Sequence, residues 1–91
     1  MPSHYLVTIR EIFARNLRQL RHAKSLSQEA LAHEAKMDRT YVSALERGLY
    51  AATIETIADL AQCLDVEPYE MLMPDFTVDK AGGKTENDKL G

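Results

Sequence analysis

Apolar residues recur along this chain at three- and four-residue intervals, interrupted by short polar segments, and nowhere alternate over a strand-like length. The first such stretch carries Ile9, Ile12, Phe13, Leu17 and Leu20 along one side, with Arg10, Arg15, Arg18 and Lys24 on the others. Thr8 followed three residues later by Glu11 is a capping-box signature that opens this helix. Ser25-Leu26 closes it, and Ser27 caps a second helix running from Gln28 to about Ala35, with Leu31, Ala32 and Ala35 inward. After Lys36 and the apolar Met37, Asp38 caps a third helix whose buried side is Val42 and Leu45. Arg39, Thr40, Ser43 and Ala44 fall nearer its free face. Gly48 stops that helix, and Thr53 caps a fourth that bears Ile54, Ile57, Leu60, Ala61 and Leu64 at helical spacing. Pro68 begins a brief fifth helix, which Pro74 ends. The expected fold class is all-α, a compact five-helix domain over residues 8–73. An N-terminal extension at 1–7 precedes it, and a flexible tail at 74–91, rich in glycine and charge, follows.

Ninety-one residues make one small domain with little room for a second core. No apolar run approaches the roughly 20 residues that span a bilayer. The first residues lack the charged region and long apolar core of a secretory signal, so no membrane partner and a cytoplasmic location are expected. The single cysteine, Cys63, excludes an internal disulfide or a cysteine-based zinc site, and packing is its expected role. His4, His22 and His33 show no ligand spacing, so no metal and no cofactor are expected. No nucleophile motif or phosphate-cradling glycine loop is present, so the chain does not read as an enzyme. The net charge of −3 hides an asymmetry. Residues 1–50 hold eight Lys or Arg against five acids, whereas 51–73 hold five acids and no base. A polyanion responds to where the charge sits, so the basic front half is compatible with nucleic acid.

Residues 27–47 form two short capped helices separated by a tight turn, the second opening with exposed polar side chains. That is the layout of a helix-turn-helix, whose second helix enters the major groove of double-stranded DNA. In that pose Arg39, Thr40, Ser43 and Ala44 meet base edges: arginine can pair with guanine O6 and N7, the hydroxyls with several bases, and alanine with the thymine methyl. Arg18 on the first helix and Arg47 at the end of the third are assigned to the DNA backbone. The hydroxyls of Tyr41 and Tyr50 reach phosphate or else pack inward. Thr53 caps a helix whose N-terminus also suits a phosphate.

Leu17-Arg18-Gln19-Leu20-Arg21, Leu26-Ser27-Gln28-Glu29-Ala30-Leu31-Ala32, Tyr41-Val42-Ser43-Ala44-Leu45-Glu46-Arg47-Gly48, Thr53-Ile54-Glu55-Thr56-Ile57 and Leu64-Asp65-Val66 together resemble the family of phage repressors, Cro proteins and related bacterial regulators. The resemblance covers about residues 9–73. It implies a repressor-like DNA-binding domain, a phosphate-bonding and bracing role for Gln28, and a partly buried structural ion pair between Arg21 and Glu46. Asp38-Arg39-Thr40-Tyr41 with Ser43 is most similar to the controllers of restriction–modification systems. Ser25 and Lys36 stand where the family commonly has glycine in a left-handed conformation, at roughly 1 kcal/mol each. Ala52 stands where many relatives have proline.

The expected function is a sequence-specific transcriptional regulator acting as a homodimer on a pseudo-palindromic operator. A phage-type repressor and an antitoxin repressing its own operon are the alternatives, and a protein-interaction adaptor is the rival of another class. Leu60, Cys63, Val66, Tyr69, Met71 and Met73 are expected to form the dimer interface. RNA polymerase is a further candidate partner through the acidic residues 55–70, and no small-molecule ligand is expected.

Overall fold

A computed structural model of the protein describes residues 8–77, so the extension 1–7 and most of the tail lie outside the described residues. Within them the chain forms α1 (Ile9–Ala23), α2 (Gln28–Ala35), α3 (Arg39–Glu46), α4 (Ile54–Leu64) and a final 3₁₀ helix (Pro68–Leu72). The caps lie where the sequence placed them. Thr8 Oγ1 accepts from Glu11 N–H while the Glu11 carboxylate accepts from Thr8 N–H, both at 3.2 Å, completing the capping box. Ser27 accepts from Ala30 N–H at 2.9 Å, Asp38 from Thr40 N–H at 2.9 Å and Thr53 from Thr56 N–H at 3.0 Å.

The four α-helices end alike. Ser25, Lys36, Gly48 and Asp65 follow the last turns with φ of 57°, 59°, 72° and 61°, the left-handed conformation. In each case the next residue sends its N–H back to a carbonyl five residues earlier: Leu26 to Arg21, Met37 to Ala32, Leu49 to Ala44 and Val66 to Ala61, at 2.8–3.1 Å. This is the Schellman closure, which satisfies the helix's last carbonyls and turns the chain sharply. Leu26, Met37 and Val66 tuck against the core as its apolar plugs. Only one of the four left-handed positions is glycine, so the chain bears the steric cost at the other three.

Every element contributes to one core. Leu17 of α1, Leu31 of α2, Val42 and Leu45 of α3, Leu60 of α4 and Met71 of the 3₁₀ helix are all fully buried. α3 packs on both α1 and α2, and α4 packs on α2 and on the 3₁₀ helix, which returns to α1. Asn16 carries that return. Fully buried, it donates through Nδ2 to the carbonyls of Met71 at 2.9 Å and Met73 at 3.0 Å, while Arg15 donates to its Oδ1 and to the Pro74 carbonyl.

Several expectations need correction. The fifth helix is a five-residue 3₁₀ turn, because the chain must be extended at Met73 (φ −81°, ψ 124°) ahead of Pro74. Ile9 and Ile54 are 58% and 81% exposed: each is the first residue of its helix, and the buried stripe begins a turn later. Packing also continues beyond residue 73, since Phe76 lies half-buried against the core.

Candidate DNA-reading surface

The two-helix unit of α2 and α3 is fastened to α1 through Glu46. This carboxylate lies at the end of α3, on the inner side where α1 and α2 converge, and its side chain is 2% exposed. Arg21 of α1 grips it with two bonds, Nε to Oε2 at 2.6 Å and Nη2 to Oε1 at 3.0 Å. The remaining guanidinium nitrogen, Nη1, donates to the Leu26 carbonyl at 2.8 Å, in the connection leading to α2. Gln28, the first residue of α2, donates from Nε2 to Glu46 Oε1 at 3.0 Å. A buried charge is tolerable when it is paired and its spare donors and acceptors are used. Among the described residues no buried side-chain nitrogen or oxygen lacks a partner. The expected Arg21–Glu46 pair is therefore present, and the brace from Gln28 closes on the same carboxylate.

Held from behind in this way, α3 turns its N-terminal end outward. Arg39 and Thr40 are exposed there and Ser43 is half-buried one turn on. Asp38 organises this end with one oxygen, Oδ1, which accepts from both Thr40 N–H at 2.9 Å and Thr40 Oγ1–H at 2.7 Å. Those bonds, aided by the Arg39 charge, hold the Asp38 carboxyl below its usual value. Ala44 departs from expectation. It is buried at 7% exposure, because α3 packs on two helices and its buried arc is wider than the Val42–Leu45 stripe. Ala44 is thus a packing residue, withdrawn from the surface that Arg39, Thr40 and Ser43 share.

The assigned backbone contacts divide into two groups. Gln28, Arg18 and Arg47 line one open cleft with Glu11 and Gly48, between the start of α2 and the end of α3. Arg18 is exposed but not idle: its Nη1 donates to the Glu46 carbonyl at 2.5 Å, tying the end of α3 to α1. Arg10 likewise donates to the Leu49 carbonyl at 3.3 Å. Sequence spacing placed these arginines on the outer sides of α1, but nothing in it revealed their carbonyl partners. Tyr41 and Tyr50 form the second group, stacked with ring centroids 6.4 Å apart and an interplanar angle of 30°. The pair joins α3 to the loop before α4, where exposed Thr53 caps that helix and donates to Thr56 Oγ1 at 3.0 Å.

The expected interface residues, on α4, the 3₁₀ helix and the segments flanking it, are unequally placed. Leu60 and Met71 are fully buried within the protomer and lie beneath its surface, since α4 and the 3₁₀ helix pack on each other. Cys63, Val66 and Met73 are half-buried, and Tyr69 is 65% exposed. Partial burial, with Glu34, Asp59 and Asp65 nearby, pushes the Cys63 thiol up, away from the reactive thiolate. Among the described residues no cluster of His, Cys, Asp and Glu could hold a metal ion, and no helix is long and apolar enough to cross a membrane.

A helix-turn-helix family profile matches residues 17–71. The chain belongs to the helix-turn-helix family. It is 41% identical over 70 residues to the control protein C.BamHI of Bacillus amyloliquefaciens, covering 76% of this chain and 84% of that protein. Among solved structures it is similar to the restriction–modification controller protein C.AhdI of Aeromonas hydrophila, with 45% identity, a TM-score of 0.66, and coverage of 68% of this chain and 94% of that one. It is also similar to the controller C.Esp1396I, solved as a tetramer in complex with its natural 35 base-pair operator. That match has 30% identity, a TM-score of 0.64, and coverage of 70% of this chain and 88% of that one. The matched residues 17–71 include α2 and α3, and the relatives are control proteins, so the resemblance expected from the sequence to phage-repressor-type and controller proteins holds.

Proposed function

We propose that this helix-turn-helix protein regulates transcription as a homodimer on a pseudo-palindromic operator, in the manner of a restriction–modification controller. The observation that carries this reading is the set of exposed Arg39 and Thr40 with half-buried Ser43 at the outward end of a helix braced from behind by the Arg21–Glu46–Gln28 cluster. Base reading demands that a few side chains be presented in fixed register, and this arrangement supports it. Arg39 is the candidate for bidentate pairing with guanine, and Ser43 for an adjacent base. Gln28, Arg47, Tyr41, Tyr50 and Thr53 are assigned to the sugar–phosphate backbone, with Arg18 divided between that task and its carbonyl bond. Cys63, Val66, Tyr69 and Met73 line the proposed dimer surface. A two-fold axis there sets the recognition helices about 34 Å apart, one turn of DNA. The acidic side formed by Glu55 and Asp59 is the proposed contact for RNA polymerase. The protein works by binding, without catalysis, in the cytoplasm where its operator lies.

The test compares two arginines on a DNA site selected from a random pool and on scrambled duplex, at two salt concentrations. Arg39→Ala should cost about 1–3 kcal/mol on the selected site and leave scrambled DNA nearly unchanged. Arg18→Ala should weaken both DNAs alike, by a smaller factor, and reduce stability as well. Absence of any salt-sensitive affinity for DNA would overturn the reading and favour a protein-interaction adaptor.

A further inference from the structure

Thr40 is the only exposed hydroxyl on the outward turn of α3 whose hydrogen has a resolved destination. Its Oγ1 lies 2.7 Å from Asp38 Oδ1, and the same oxygen takes the Thr40 N–H at 2.9 Å. An ionised carboxylate accepts hydrogen bonds and cannot donate them. Asp38 is ionised at neutral pH, its carboxyl being held below the usual value by these bonds. The single hydroxyl proton of Thr40 is therefore directed at Asp38, and what Thr40 offers outward is lone pairs. A free threonine hydroxyl can either donate or accept and so discriminates poorly among bases. Here that ambiguity is removed by the residue two positions earlier.

We propose that Asp38 makes Thr40 an obligate hydrogen-bond acceptor, so that Thr40 selects a base bearing an exocyclic amino group in the major groove, cytosine N4 or adenine N6. The inference rests on the reading that α3 enters the groove, and it adds a determinant which that reading leaves open. It also gives the outward turn a definite polarity. Arg39 has only donors, suited to the acceptor edge of guanine, while Thr40 and Asp38 beside it present only acceptors. A Ser or Thr without such a partner would carry no comparable preference.

The experiment uses the full chain and a duplex site selected by it from a random pool, with affinity read by fluorescence anisotropy. Thr40→Val, which keeps shape and removes the hydroxyl, identifies the base position that depends on Thr40. At that position the amino group is deleted chemically, replacing adenine by purine or cytosine by 2-pyrimidinone. Loss of one hydrogen bond should weaken the unaltered protein roughly 3- to 10-fold and leave Thr40→Val unaffected. Asp38→Asn keeps an acceptor oxygen for Thr40 and should retain the preference. Asp38→Ala frees the hydroxyl and should lose it, with melting curves checking that α3 still folds. If amino deletion is silent while removal of a base acceptor at that position is costly, the hydroxyl donates and the proposal is overturned. It is equally overturned if Thr40→Val leaves every base preference intact while selective binding persists. If no duplex is preferred over any other, the proposed function itself fails, and the role of Thr40 fails with it.

Discussion

Glu46→Ala isolates the cluster that holds α3 in place. The substitution deletes the acceptor of two Arg21 bonds and one Gln28 bond from a site where the Glu46 side chain is 2% and the Arg21 side chain 11% exposed. Removing one partner of a buried pair leaves an uncompensated charge and typically costs 3–5 kcal/mol. Arg21 keeps its bond to the Leu26 carbonyl and a little solvent, so a value near the lower end, about 3 kcal/mol, is expected. For a domain of this size each kcal/mol lowers Tm by about 4–8 °C, giving a fall of roughly 12–24 °C. Glu46→Gln retains one acceptor and should lose less. Replacing both partners, Arg21→Met with Glu46→Leu, removes the stranded charge and should be milder than Glu46→Ala alone, since buried pairs exchange for apolar residues at little cost. Urea titration with an unchanged slope would confirm that the loss is one of native-state stability. A Glu46→Ala variant melting within a few degrees of wild type would refute the reasoning, because the charge left on Arg21 would then be hydrated.

Lys36→Gly places glycine at a φ of 59° and should stabilise the domain by only about 0.5 kcal/mol in denaturant titrations, relief of the left-handed penalty being largely offset by the added entropy of the unfolded chain. Asn16→Ala strips the Met71 and Met73 carbonyls of their donor and should cost about 2 kcal/mol, with hydrogen exchange rising first in the 3₁₀ helix. The Asp38 carboxyl is lowered in the folded state, so its contribution is present above the ordinary carboxylate value and is lost as pH falls through the folded one. The Tm difference between wild type and Asp38→Asn should therefore be flat above about pH 5 and shrink only in acid. A difference that grew on acidification would contradict the Thr40 bonds.

Helix starts were legible because Thr8, Ser27, Asp38 and Thr53 cap by purely local bonds, two or three residues long. The ends were legible only in part. Gly48 announces a left-handed residue and the family resemblance marks Ser25 and Lys36, whereas Asp65 is recognised only when the following Val66 is seen as a plug. Burial was misjudged where an element has two neighbours: Ala44, Leu60 and Met71 sit under arcs wider than one apolar stripe. Asn16 did leave a signal, since it stands at the i+4 step between Ile12 and Leu20, inside the apolar stripe of α1. Its carbonyl partners lie more than fifty residues away and no local pattern points to them.

The arginines of α1 bear on how such a protein finds its site. Arg10, Arg15, Arg18 and Arg21 each hold a backbone carbonyl of a later segment, at Leu49, Pro74, Glu46 and Leu26. Arg39 and Arg47 alone among the six arginines have no side-chain hydrogen-bond partner among the described residues. Four of the six arginines thus also fasten the chain, and two are left wholly free to follow a polyanion. Because each fastened side chain must leave its carbonyl to reach a phosphate, a shallow salt dependence on scrambled duplex is the expected outcome. Fewer copies would then be sequestered on decoy sequence, and a smaller number of molecules would suffice to register a change in the protein's own concentration.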